Sequence, residues 1–187
     1  AAMLTGAALF SGFYLNELLM KLLARQDAHP LLFEAYAQTL PALSGRDEVR
    51  VQSALRAFEI TLLQQVGVLP DLSRVTATLD AVHPDCRYAL LPEAGVAFAR
   101  PDDASVSGAA LIGVQAALLH GSLPALQLAC SRALTDWRGL LRGLLHYHLG
   151  ARSLRTRQVM LDLQSLSASP VKALPQRQRP APVADQL

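Results

Sequence analysis

Three groups of side chains in this chain are of types that could do chemistry. His146 and His148 flank Tyr147 in a helical stretch, but two positions apart they point about 200° away from one another and cannot easily share an ion. They read as surface or capping histidines. Cys86 sits in His83-Pro84-Asp85-Cys86, which lacks a second pair to complete a tetrahedral site, so no metal and no cofactor is expected. Cys130 falls at helical spacing among leucines and reads as a small buried hydrophobe. The third group is LGARSLRTRQVM, residues 149–160, where Arg152, Arg155 and Arg157 cluster between the end of one helix and the start of another. Free backbone N–H groups there could join the guanidiniums in holding a phosphate, and a solvated turn is the competing reading. No GxSxG, P-loop, GxGxxG or HExxH motif occurs, so nothing argues for an enzyme.

The charge distribution points the same way as the arginine cluster. Residues 1–129 carry eight Lys/Arg against twelve Asp/Glu, whereas residues 130–187 carry nine against three. Fifteen of the seventeen basic residues are Arg, whose planar fork suits phosphate and carboxylate, although a coding bias toward Arg gives the same composition. Two cysteines are too few for a disulfide scaffold and agree with a reducing, cytoplasmic setting. Of the 187 residues, 51% are hydrophobic and only 5% aromatic, with Leu and Ala abundant, which favours helix over strand.

The elements that must position these residues begin with FYLNELLMKLLARQDAHPLLFEAY, residues 13–36. It reads as a helix from about Leu4 to Leu23 that is apolar on most faces, a break at Asp27 to Pro30, and a second helix to about Leu40 folding back on the first. Asn16, Glu17 and Lys21 interrupt the apolar run before about 18 uncharged residues accumulate, so no membrane span is expected. A third helix starts near Asp47 and Glu48, its Val51, Leu55, Phe58 and Leu62 forming one stripe up to Gly67. Beside the stripe, Arg56 and Glu59 read as a surface ion pair worth a few tenths of a kcal/mol. From about 70 to 104 prolines replace the helical period, and Arg87–Leu91 with Gly95–Arg100 suggest a small hairpin around Pro-Glu-Ala-Gly. Helix resumes at Ser107 and runs to Gly121; another starts at Pro124 and continues to Leu149, ended by Gly150. Leu126, Cys130, Leu134, Trp137, Leu141, Leu144 and Leu145 line one side of it. Arg132, Asp136, Arg138 and Arg142 occupy its other positions. Ser153 could cap a last short helix. The fold class is mainly α: a compact helical bundle, residues 1–166, with a hairpin insertion, followed by a Pro/Gln/Arg-rich tail, 167–187, expected to be disordered.

Four ordered landmarks carry a family resemblance: Phe13-Tyr14-Leu15-Asn16-Glu17-Leu18-Leu19, Leu32-Phe33-Glu34-Ala35-Tyr36, Leu55-Arg56-Ala57-Phe58-Glu59 with Leu62-Leu63, and Leu149 through Arg157. Together they resemble the bacterial recombination mediator family RecO over roughly residues 4–165. That family opens with an oligonucleotide/oligosaccharide-binding barrel, nothing like which precedes Phe13, so the chain reads as the helical C-terminal part. The resemblance implies a non-enzymatic DNA repair protein of the cytoplasm and nucleoid. Such a protein binds single- and double-stranded DNA, anneals strands, and works with RecR to load RecA onto DNA coated by single-strand-binding protein. It also implies that the helical domain receives the acidic, aromatic-ended tail of that coat protein. Arg56, at the family's LRRFE-like motif, would pair with tail carboxylates, with Phe13, Leu32 and Tyr36 as an apolar wall, although each of these is also what a core contains.

Two departures bear on these expectations. Some members hold a four-cysteine zinc site in the insertion, whereas here Val75 stands where the first cysteine would fall. Ala57 replaces the motif's second arginine, which lowers the expected tail affinity. The DNA-binding role would fall to Arg152, Arg155 and Arg157. The alternative is a protein-interaction or structural helical domain without direct DNA binding.

Overall fold

The computed structural model describes residues 4, 6–24, 28–150, 154–156 and 159. In chain order it consists of helices α1 (Ala7–Leu22), α2 (Pro30–Leu43) and α3 (Glu48–Gln65). Strands β1 (Arg87–Leu91), β2 (Gly95–Phe98) and β3 (Val106–Ser107) follow, then helices α4 (Gly108–His120), α5 (Leu123–Ser131) and α6 (Leu134–Leu149). The architecture is mainly α with one small antiparallel sheet in the order β2-β1-β3.

The fold is organised around α3. Asp47 caps it by accepting hydrogen bonds from the N–H groups of Val49 (3.0 Å) and Arg50 (3.3 Å). Packing from α2, α5 and α6 on different sides then buries every residue from Ser53 to Ile60. The single apolar stripe expected from the sequence is therefore only part of the buried surface. A helix surrounded by three others has no solvent side for its middle turns.

The first helix shows the opposite departure. A helix apolar on most faces is expected to lie in a core, yet Leu9, Phe13 and Met20 stay on the outside, Met20 at 84% exposure. Only Leu15 and Leu18 among its large side chains are sealed, because α1 meets the rest of the molecule chiefly through α2 and α6. The α1–α2 hairpin closes as expected, and Tyr36 donates its hydroxyl to Asn16 Oδ1 at 2.6 Å across it.

The hairpin pairs Tyr88 with Phe98 and Leu91 with Gly95. The short β3 was not foreseen; it joins the other edge of β1 just before Ser107 caps α4. The hairpin is tied to α6 at two points. Arg87 donates to Asp136 at 2.9 Å, and Tyr147 donates to Glu93 at 2.7 Å. Gly121 and Gly150 end their helices with positive φ, as read from the sequence.

The expected long helix from Pro124 to Leu149 is two helices. The last turn of α5 tightens, with Ser131 Oγ donating to the Leu128 carbonyl and the Ala133 N–H to that of Cys130. The break lets α5 lie on α3 and α4 while α6 takes another course, with Trp137, Leu141 and Leu144 buried. No Gly or Pro marks the break, so the sequence reads straight through it.

Candidate functional site

Arg56 and Glu59 are not a surface pair. They are 8% and 0% exposed, facing a place where α1, α3, α5 and α6 come together. Arg56 Nη2 and the Tyr14 hydroxyl both donate to Glu59 Oε1, each at 2.7 Å. Arg56 Nε and Glu59 Oε2 are buried with no hydrogen-bond partner. An i,i+3 spacing looks the same on an exposed helix and on a surrounded one; burial of the helix decides its meaning.

The electrostatics of this cluster follow from its depth. Burial pushes the Glu59 carboxyl above the ordinary value of 4.5, opposed by the Arg56 charge, the Tyr14 hydroxyl and the charge of Arg138. Burial, then the Glu59 charge and hydrogen bond, holds the Tyr14 phenol well above 10, with Arg56 and Arg142 pulling the other way. The Cys130 thiol is pushed up to about 12, first by burial and then by Glu59. It is a core side chain, as its spacing suggested.

The other residues read as partner-binding are scattered by depth. Phe13 is half exposed, and Tyr36 is half-buried with its ring 6.1 Å from that of Phe58. Leu32 is 1% exposed and offers no surface, while its neighbours Leu31 and Phe33 are 62% and 73% exposed. Helix α2 turns every third or fourth residue inward, and Leu32, Ala35, Thr39 and Leu43 are those residues.

Of the arginine cluster, Arg155 is exposed, whereas Arg152 and Arg157 lie outside the described residues, as do the expected cap Ser153 and the whole of the expected tail. Two of the backbone N–H groups there, those of Arg155 and Thr156, are already occupied. Glu17 of α1 accepts the Arg155 N–H at 2.8 Å, the Thr156 N–H at 2.9 Å and the Thr156 hydroxyl at 2.7 Å. Lys21 Nζ lies 2.9 Å from the same carboxylate. An internal carboxylate thus takes two of the N–H donors on which a phosphate could have drawn.

Partial burial of Glu17 works against ionisation, but the bonds from Lys21, Thr156 and Arg155 outweigh it and hold the carboxyl at about 2 against an ordinary 4.5. The stabilisation from this group is complete above pH 4.5 and is lost as pH falls through 2. Glu17→Gln is therefore expected to lower stability near neutral pH by about 1 kcal/mol after solvent screening, and to flatten the acid limb of the stability curve. Urea titrations at a series of pH values check this; an acid limb identical to that of the unaltered chain would refute it.

Val75 is buried in a tight loop closed by backbone bonds, Val75 N–H to Asp80 O and Leu79 N–H to Val75 O, both at 2.8 Å. Among the described residues, no three His, Cys, Asp or Glu side chains come together as a metal site. His146 is exposed and His148 half-buried with Nε2 lacking a partner. Among the described residues, grooves of about 220 and 300 Å³ open on the surface, and neither is lined by Tyr14, Arg56 or Glu59. No helix among the described residues is long and apolar enough to cross a membrane.

Fold and site together define a mainly α domain with a small sheet appended, built around a buried Tyr–Arg–Glu cluster. Residues 3–158 match the family described as Recombination protein O C terminal. The chain is 52% identical over 164 residues to the DNA repair protein RecO of Polaromonas naphthalenivorans and 50% over 166 residues to that of Albidiferax ferrireducens. It is 45% identical over 172 residues to that of Variovorax paradoxus. Each of these alignments covers 87% of the chain and 66% of the relative. The chain belongs to the recombination protein O C-terminal family, and it spans 66% of the length of these relatives.

Proposed function

We propose that the chain is the helical module of a recombination mediator acting in DNA repair in the cytoplasm and nucleoid, a binding protein and not an enzyme. The observation that carries this reading is the family match over residues 3–158. In this reading the whole protein binds single- and double-stranded DNA, anneals strands, and assists RecA loading together with RecR. The module contributes the site for the acidic tail of single-strand-binding protein. Arg56 meets a tail carboxylate through the tenth of its side chain left open, and Phe13, Leu32 and Tyr36 are the apolar residues assigned to the same site.

Arg152, Arg155 and Arg157 supply the DNA contacts. With the Arg155 and Thr156 N–H groups held by Glu17, these contacts rest chiefly on the guanidiniums. The affinity is then weak and salt-sensitive, with a log–log slope on duplex of at most about −3. The same Glu17 contact favours, as a second reading, a protein-interaction module without direct DNA binding.

Retention of single- and double-stranded oligonucleotides at low salt separates the two. Replacing all three arginines by alanine is expected to abolish retention with the thermal melt unchanged. Unchanged retention by a folded triple variant would remove the DNA assignment and leave the interaction module.

A further inference from the structure

The groove of about 220 Å³ opens where the turn of the β1–β2 hairpin, the end of α3 with the loop after it, Thr76 and the later turns of α6 meet. Leu69, Leu90, Pro92 and Leu144 give it apolar walls. These parts are tied to one another. Tyr147, one turn beyond Leu144 on the same face of α6, donates to Glu93 at 2.7 Å and so pins the hairpin turn to the helix. Thr76 holds β2, its N–H donating to the Val96 carbonyl and its hydroxyl accepting the Val96 N–H, both at 2.9 Å.

The charge of the lining has one sign. Glu93 is exposed at the groove, and no Lys, Arg or His is among the described residues that line it. Helix α3 also ends here. Gly67, at φ 74°, and Val68 line the groove just past its last turn, their N–H groups turned back onto the Gln64 and Leu63 carbonyls. A helix C-terminus carries partial negative charge, and a carboxylate that accepts one phenol bond keeps lone pairs for further donors. The groove therefore disfavours a phosphate and favours a cation, while its apolar walls favour an aliphatic stem behind the charge.

Size narrows the choice. The groove falls below the ~300–1,000 Å³ of pockets that enclose a whole small molecule, and suits one long side chain. Arginine fits better than lysine, because its guanidinium is less strongly hydrated and its planar fork can meet a carboxylate with two donors.

We propose that this groove receives an arginine side chain presented by a protein partner, its stem against Leu69, Leu90, Pro92 and Leu144 and its guanidinium on Glu93 beside the end of α3. This surface is separate from Arg56 and from the 152–157 arginines, neither of which lines it, and its role depends on neither.

The test is an amide NMR titration of the whole chain with N-acetylarginine methylamide at constant ionic strength, read at Gly67, Thr76 and Gly95, which line the groove. These amides are expected to shift together with one dissociation constant on the order of millimolar, as suits a single side chain. N-acetylcitrulline methylamide, of the same shape without the charge, should bind at least about threefold more weakly, and Glu93→Gln should weaken the arginine probe by as much. Glu93 is exposed, so that variant keeps its melting temperature. Tyr147→Phe removes the phenol and leaves the carboxylate, and should bind as well as the unaltered chain. A loss in Tyr147→Phe equal to that in Glu93→Gln would overturn the charge contact. Citrulline binding as tightly as arginine, or no shift at these amides, would overturn the site. Agmatine binding about tenfold more tightly than the capped residue would overturn the partner and give the groove to a small free amine.

Discussion

Glu59→Ala is expected to cost about 3–5 kcal/mol of stability, because it removes one partner of a buried ion pair and strands the other. Arg56 Nη2 would lose its acceptor in a place already lacking one for Nε, and the Tyr14 hydroxyl would lose the carboxylate it donates to. A urea titration reads the loss as a fall in midpoint at unchanged slope. Glu59→Gln keeps an acceptor oxygen for both donors and should cost only about 1–2 kcal/mol. The two variants also differ in pH dependence. With the folded Glu59 carboxyl above 4.5, its contribution is greatest below that value and declines as pH rises through the folded value. The glutamine variant, which cannot titrate, should lack that decline. A Glu59→Ala loss under about 1 kcal/mol would mean that the cluster relaxes to admit water and is not a sealed pair.

Gly108→Ala comes next, at about 3 kcal/mol. A Cβ at this position would overlap the His83 carbonyl oxygen and press on Val82 Cγ1 at 2.9 Å. Neither can move freely. The His83 oxygen accepts the Cys86 N–H, and Gly108 itself donates to the Cys86 carbonyl at 2.8 Å, where the loop before β1 meets the start of α4. A midpoint shift equivalent to less than about 1 kcal/mol would show that this loop yields, contrary to the close-packed contact. Thermal melts of Gly108→Ala and Gly108→Ser measure it, serine being expected to cost at least as much.

Local rules in the sequence reach the parts of the fold that local rules govern. The hairpin around Pro-Glu-Ala-Gly, the Ser107 cap and the glycine stops at 121 and 150 each depend on a few neighbouring residues, and each was readable. The break after Ser131 and the exposed side of α1 depend on how helices are shared out in space, which the pattern of leucines does not encode. Arg56 and Glu59 were noticed as a pair but not as a buried one, because their third member, Tyr14, lies 45 positions away. Arg138 and Arg142 could be placed off the apolar side of their helix, yet nothing in the sequence says that their charges reach the buried Glu59 and Tyr14. The Glu17 contact shows the same limit, as the residues that close the phosphate-like position come from the far end of the described chain.

That contact also bears on the order of events during synthesis. Beyond Lys21 one turn along its own helix, Glu17 meets Arg155 and Thr156, 138 and 139 positions downstream. Its pairing with Lys21 can form with α1, but the bonds to Arg155 and Thr156 wait until Thr156 has left the ribosome, while the 45-residue Tyr14–Glu59 link can close much earlier. The nascent chain would gather α1, α2 and α3 first and fasten its last described segment to α1 at the end, a long-range closure that raises contact order and slows the final step.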